Sequence, residues 1–546
     1  MRLTQIITLL LATAFYSCHP VIAQTQSWKI TKPSWTSTDE KNFQAFVQRL
    51  GEAVERRECT NTRSCMTSSA NPYKNSDPAG LRYFSDCADF PYFLRGYFAW
   101  KNGLPFGFAT GMRPRPIPGN GGDKRYSKFG NEVVSRYSTS SKNNQFPNAI
   151  RLFNELIPDQ TSSANYRTNF EGNDGELFSD HYPIRLNRES IQPGTVIYDP
   201  NGHVVVIYKI TDDGRIYYFD AHPDNSLTTG LFGVKFLRSN PGHGAGFKNW
   251  RPLKLVGATQ DSQGNWISGK IVGEKNSNIP NYSIEQFFGT NETPTTEWQK
   301  APFVHEGKNL SYYEYVRVMV AKGELRINPL DDLRTLITDL CQNLKDRVIA
   351  VETSLRAGIQ NKPHPDRLPN NIYGTDGEWE SYSTPSRDAR LKVSFKDLLD
   401  QSQDYISKLK TQDPTLVYTG PNLAQDLIDT YQRESQSCQI SYTNSVGRAI
   451  TLNLEEVRAR LFKLSFDPYH CIEYRWGATG DELRTCQDNL TKQLWYDREQ
   501  RLRNQLERRY DVNMGFNLEE LAEPRPENGV ANPPDVDLLK FLRQNL

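Results

Sequence analysis

The stretch SDCADFPYFLRGYFAW places Cys87 directly after Asp86, at the mouth of an apolar, aromatic-rich segment. A thiol is a weak nucleophile until it ionises, and the first turn of a helix favours the anion through its unpaired N–H groups and partial positive charge. Such a sulfur needs a base, and the base needs a third group to orient it. His203 follows Gly202 at the start of a strand-like run, VVVIYKI, and is the natural base. Asp220, in the returning run RIYYFDAH, is the natural orienter, with His222 as its substitute. An Asp accepting from one ring nitrogen leaves the other facing the thiol. The backbone N–H of Cys87 would donate to the oxyanion of an acyl transfer.

Eight cysteines are present, and removal of a leader carrying Cys18 leaves Cys59, Cys65, Cys87, Cys341, Cys438, Cys471 and Cys486. Cys59 and Cys65 bracket a short loop, and Cys471 and Cys486 a longer one. Cys341 and Cys438 sit in helical segments and can be partners. Three such pairs leave Cys87 over, the odd cysteine of an exported chain and a candidate reactive thiol. The alternatives are that Cys87 pairs with one of the six or is inert filling.

These residues must be positioned by elements the pattern reveals. Residues 38–57 read as an amphipathic helix capped by Thr38, with Phe43, Phe46, Val47, Leu50 and Val54 at helical spacing. Phe90, Phe93, Leu94, Tyr97 and Phe98 mark a second helix, with Cys87 in its first turn and its end near Asn102-Gly103. Residues 111–147 are rich in Gly, Pro, Ser and Asn, with 111–130 a loop by composition, and a short helix follows at 148–157. From 194 the period becomes that of strands: GTVIY, then GHVVVIYKI, a turn at 211–214, and RIYYFDAH, with WRPLKLV near 250 as a last strand. Residues 257–305, rich in Gly, Asn, Ser and Thr, read as a linker or irregular layer. Beyond 306 the stripes are helical, and Leu490, Leu494, Leu502 and Leu506 read as one side of a long charged helix.

The first 23 residues read as a secretory signal, with Val21 and Ala23 at the −3 and −1 positions; Cys18 offers a lipoprotein alternative. No later segment is apolar for long enough to span a membrane. At 546 residues the chain is too long for one core, and with 65 basic and 64 acidic residues intermixed it offers no basic stripe for nucleic acid. His203, His222 and His243 match no standard zinc-ligand spacing, so neither metal nor other cofactor is expected.

SDCADFPYFLRGYFAWKNGLPF resembles the nucleophile helix of NlpC-type cell-wall endopeptidases, in its Asp86-Cys87 pair, aromatic helix and Gly103-Leu104-Pro105 exit. QPGTVIYDPNGHVVVIYKI is similar to the strand pair of that family and of the CHAP amidases. The resemblance spans roughly residues 70–255. It implies a papain-like α+β fold with an antiparallel sheet over 24–256, carrying an insertion at about 107–190, followed by a mainly α-helical domain over 306–546. It implies metal-free cysteine hydrolysis of amide bonds in peptidoglycan peptides, with Cys87, His203 and Asp220 as the triad and Tyr73, or less well Tyr83, lining the oxyanion site. Transglutaminase-like acyl transfer uses the same triad. The contrasting expectation is a catalytically silent envelope protein whose helical half binds a protein partner. Either would act in the periplasm or outside the cell.

Overall fold

The computed structural model describes residues 26–143, 145–171, 175–373, 377–509 and 512–546. The expected signal peptide lies outside the described residues. Helix α1 (Ser37–Glu55) starts at a capping box: Thr36 accepts from the Asp39 N–H, and the Asp39 carboxylate accepts from the Thr36 N–H. The cap is thus Thr36, not Thr38, because only Thr36 has the extended backbone that turns its hydroxyl onto the first turn. Helix α2 (Asp89–Lys101) is buried on every side from Asp89 to Trp100, so its apolar face is the whole cylinder. Phe46, Phe93, Phe153 and Trp100 all pack against Tyr97 or its neighbours.

The loop expected at 111–130 is largely the connection of a hairpin, β1 (Gly107–Pro114) and β2 (Asn131–Ser138), with Gly111–Pro114 already in strand. Each strand is eight residues long and partly exposed without clean alternation, so the period did not mark them. A helical segment follows at 149–160, as expected.

The main sheet has six antiparallel strands: β3 (His181–Pro183), β4 (Val196–Tyr198), β5 (Val204–Ile210), β6 (Ile216–Ala221), β7 (Leu227–Leu231) and β8 (Gly246–Trp250), in the order β3-β8-β4-β5-β6-β7. Side chains alternate across it. Val204, Val206, Tyr208 and Phe219 join α1 and α2 in one core. Val205, Ile207, Ile216 and Tyr218 face the other way, onto α3 (Tyr312–Val320) through Tyr312, Tyr315 and Val316. The approach of α1 is close: a Cβ on Gly51 would lie 2.2 Å from the Tyr208 ring. Helix, sheet and helix make an α+β unit. Its outer layer uses Ile279 and Phe303 and runs on to Val320, beyond the boundary at 305 that composition suggested.

The remainder is mainly helical, around α4 (Pro329–Arg356), α5 (Pro385–Lys410) and α6 (Leu423–Ser437), with a small hairpin at Gln439–Thr443 and Ala449–Asn453. Leu333, Leu340, Leu344, Phe395, Leu398 and Leu427 form its core. The long helix expected through Leu490 and Leu494 is broken into Leu490–Arg498 and Gln500–Asn504; those two leucines are exposed while Leu502 is buried. Cys59–Cys65, Cys341–Cys438 and Cys471–Cys486 are disulfides, and Cys87 is free. Among the described residues no helix is long and apolar enough to cross a membrane.

The two halves meet through charges on α4. Asp332, Asp339 and Asp346 recur every seven residues, so they share one face of the helix. Asp332 takes Arg215 and Arg317, Asp339 takes Lys235, and Asp346 takes Arg57. These carboxylates are largely buried, so losing a partner would strand a charge in a medium that solvates it poorly.

Candidate active site

Helix α2 begins where Asp86 turns its carboxylate onto the N–H groups of Ala88 and Asp89, at 2.8 and 3.0 Å. Asp86 is therefore the cap and Cys87 the first residue after it. The Cys87 N–H meets no acceptor among the described residues, which leaves it available as an oxyanion donor. The Tyr166 hydroxyl fixes the same turn by donating to the Ala88 carbonyl at 2.7 Å.

His203 sits between the turn at Gly202, whose φ of 90° suits glycine, and the first residue of β5. The ladder pairs Val206 with Phe219, and one step further brings Asp220 alongside the start of β5. The His203 Nε2 lies 2.6 Å from Asp220 Oδ2. Burial opposes a charge on Asp220, but the imidazoles of His222 and His203 overcome it and hold the carboxyl well below the usual range. An ionised carboxylate only accepts, so Nε2 carries the proton and Nδ1 is left with a free lone pair. Thr228 donates to the other oxygen, Asp220 Oδ1, at 2.5 Å, and His222 Nε2 donates to Thr228 Oγ1 at 2.9 Å. His222 is 3.7 Å from Asp220, and its ring lies flat over His203 at 6.1 Å. Asp220 is the group bonded to His203; His222 braces it through Thr228.

The backbone beside this pair acts on the thiol: the Val204 N–H, next along from His203, favours the Cys87 thiolate. Cys87, His203 and His222 line one cavity of about 240 Å³, together with Ser162 and Ser163 from the insertion. Its roof comes from the helical half, through Trp379 and the N-terminal turns of α5.

The electrostatics differ from what a helix start alone suggests. Burial, then the charges of Asp86, Asp220 and Asp89, push the Cys87 thiol well up, and the Val204 N–H offsets this only in part. Burial also pushes His203 down despite its bond to Asp220. The resting pair is a neutral thiol beside a neutral imidazole, because burial disfavours the charged form of each.

Tyr73, expected at the oxyanion site, is at the wrong end of α2. Its hydroxyl hydrogen-bonds Asn102, the residue that ends the helix, and its ring packs on Phe46 and Tyr97. Tyr83 is tied to Asp77. A helix of thirteen residues is about 20 Å long, which separates Tyr73 from the thiol. The tyrosine that does touch the Cys87 turn is Tyr166, inside the insertion, where no local pattern marked it. Thr228 was also missed, although its place opposite Asp220 in the β6–β7 ladder makes the contact inevitable. Comparison of the chain with family models, curated proteins and solved structures finds no match.

Proposed function

We propose that this protein is an exported, papain-like thiol hydrolase that cleaves amide bonds, with peptidoglycan peptides as substrate. The observation that carries it is the hydrogen bond between His203 and buried Asp220 on a cavity whose wall includes the free cysteine. His203 Nδ1 takes the Cys87 proton as sulfur attacks the carbonyl carbon. The oxyanion rests on the Cys87 N–H, and the imidazolium returns the proton to the departing amine. Water, deprotonated by the same nitrogen, then opens the thioester and frees the thiol. An amine in place of that water would give acyl transfer.

Starting from neutral thiol and neutral imidazole makes His203 a true general base rather than half of a preformed ion pair. The test is release of soluble peptides from purified cell wall by the native protein and by Cys87→Ala. Release confined to the native protein supports hydrolysis; equal release by both assigns the activity elsewhere. No release by either, with Cys87 also refractory to iodoacetamide, favours the silent envelope protein.

A further inference from the structure

Arg387 and Arg390 stand one helical turn apart in the first two turns of α5, and both border the cavity that holds Cys87 and His203. Their side chains make no ion pair and no hydrogen bond among the described residues. Both are half-buried. Arg508 borders the same cavity but is neutralised by Asp199.

This placement is unfavourable by itself. The N-terminus of a helix already carries partial positive charge, which repels cations and favours anions. Elsewhere buried arginines have partners: Arg347 holds Asp388 at 2.6 Å, Arg215 holds Asp332, and Arg475 and Arg167 donate to carbonyls and hydroxyls. Three carboxylates border the cavity, Asp86, Asp224 and Glu380, and each has a partner. Asp86 caps α2, and Asp224 accepts from the Ser226 N–H and hydroxyl. Two guanidinium groups and a helix end therefore border the cavity with no carboxylate in ion-pair contact; Asp224 and Asp346 act on Arg387, and Asp220 on Arg390, only from a distance. A planar guanidinium fork is the preferred protein group for a carboxylate.

We infer that Arg387 and Arg390 form a carboxylate-binding subsite, so that the substrate is a peptide bearing a free acid group beside the amide bond that is cut. The helical half thereby supplies specificity to a site whose reactive groups all come from the other half. The position of the cut bond rests on the nucleophile assigned to Cys87; the anion site itself does not. Arg390 acts on His203 and Asp220, Arg508 on His203, and Arg387 on His222, and all three border the same cavity, so the subsite adjoins the reactive pair.

The test is calorimetry on Cys87→Ala with two probes, acetyl-Ala-Glu-Ala-amide and acetyl-Ala-Gln-Ala-amide. The acid should bind about 10-fold more tightly or better, as one recovered charge-assisted bond implies. That preference should shrink to within about twofold in Arg387→Gln/Arg390→Gln and persist in part in Arg387→Lys/Arg390→Lys. Equal affinity for the two peptides overturns the inference without any arginine variant, as does a preference that survives the double Gln change. A second readout is the rate of Cys87 alkylation by iodoacetate relative to iodoacetamide, each scaled to glutathione. The ratio should exceed that of glutathione and fall to it in the double Gln variant; a ratio untouched by the arginines overturns the inference while leaving the thiol assignment standing. Failure to digest cell wall would remove the proposed activity but leave the calorimetric preference intact.

Discussion

The protein contains two buried His–Asp pairs of nearly the same geometry. In the sheet half, His203 Nε2 is 2.6 Å from Asp220; in the helical half, His364 Nε2 is 2.7 Å from Asp467. What surrounds them differs. The His203 side chain retains 14% of its exposure, at a cavity bordered by a free thiol. The His364 side chain is 1% exposed, stacked on Trp495 at 4.1 Å, with its other nitrogen spent on the Pro365 carbonyl. Around Asp467 lie Glu499, whose carboxyl burial and the Asp467 charge push well up, and the buried arginines Arg475 and Arg503. His364, Asp467 and Glu499 bring donor atoms within 4.8 Å of one another, but the arginines already supply the opposing charge. A His–Asp bond therefore does not define a site. An imidazole nitrogen left without a partner beside a cavity and a nucleophile does.

That contrast can be broken most sharply at the thiol. Cys87→Ala and His203→Ala should each lower kcat/KM for peptide release by about 10³-fold or more, with melting temperature changed little. His364→Ala should show the reverse, near-native turnover and a clear loss of stability. The orienting acids give the next contrast. Asp220→Asn should cost about 10³–10⁴-fold in kcat/KM by favouring the wrong imidazole tautomer. Asp467→Asn should instead destabilise by about 3–5 kcal/mol, since it uncouples a buried charge network. Urea denaturation alongside the activity assay separates the two outcomes.

Smaller effects come from pH. Burial holds His203 below its ordinary value of 6.5, so kcat/KM should fall through an acid limb lying below that value and stay level above it up to neutrality. Difference absorbance of the thiolate should show Cys87 un-ionised at pH 7, in line with its raised pKa. Burial also pushes His222 down to about 3 and His470 down to about 4. Between 6.5 and those values the unfolded chain binds protons that the folded chain refuses, so stability rises with pH. Each such histidine should contribute about 1.4 kcal/mol per pH unit across its window. Melting temperatures from pH 7 to 4.5 should therefore fall, and His470→Gln should flatten the slope by one proton.

Local pattern was enough for much of this. Cys87 at a helix start, His203 at a strand start and Asp220 on the returning strand are each marked by a change in hydrophobic period, and period follows directly from residue order. Spacing and parity suggested three cysteine pairs without fixing their connectivity, which the structure gives as Cys59–Cys65, Cys341–Cys438 and Cys471–Cys486. The hairpin at 107–138 was hidden because its strands do not alternate cleanly and its connection is rich in Gly and Pro. Tyr73 was misplaced because adjacency in sequence says nothing about which end of a helix a neighbouring loop packs on. The acidic repeat at Asp332, Asp339 and Asp346 was visible as a spacing, but its partners Arg57, Arg215 and Lys235 lie more than a hundred residues away.

Residue order thus marked the main elements and the candidate residues Cys87, His203 and Asp220, and left the cysteine connectivity open, since it reports only interactions within or between short segments. Only the tertiary structure decided that the thiol is held neutral, that Tyr166 braces its turn, and that arginines from a distant helix roof the cavity. Desolvation and charge act through space: burial first, then the charge of Asp220 brought in from a distant strand to join the neighbouring Asp86 and Asp89, outweighs the helix end that the local sequence provides.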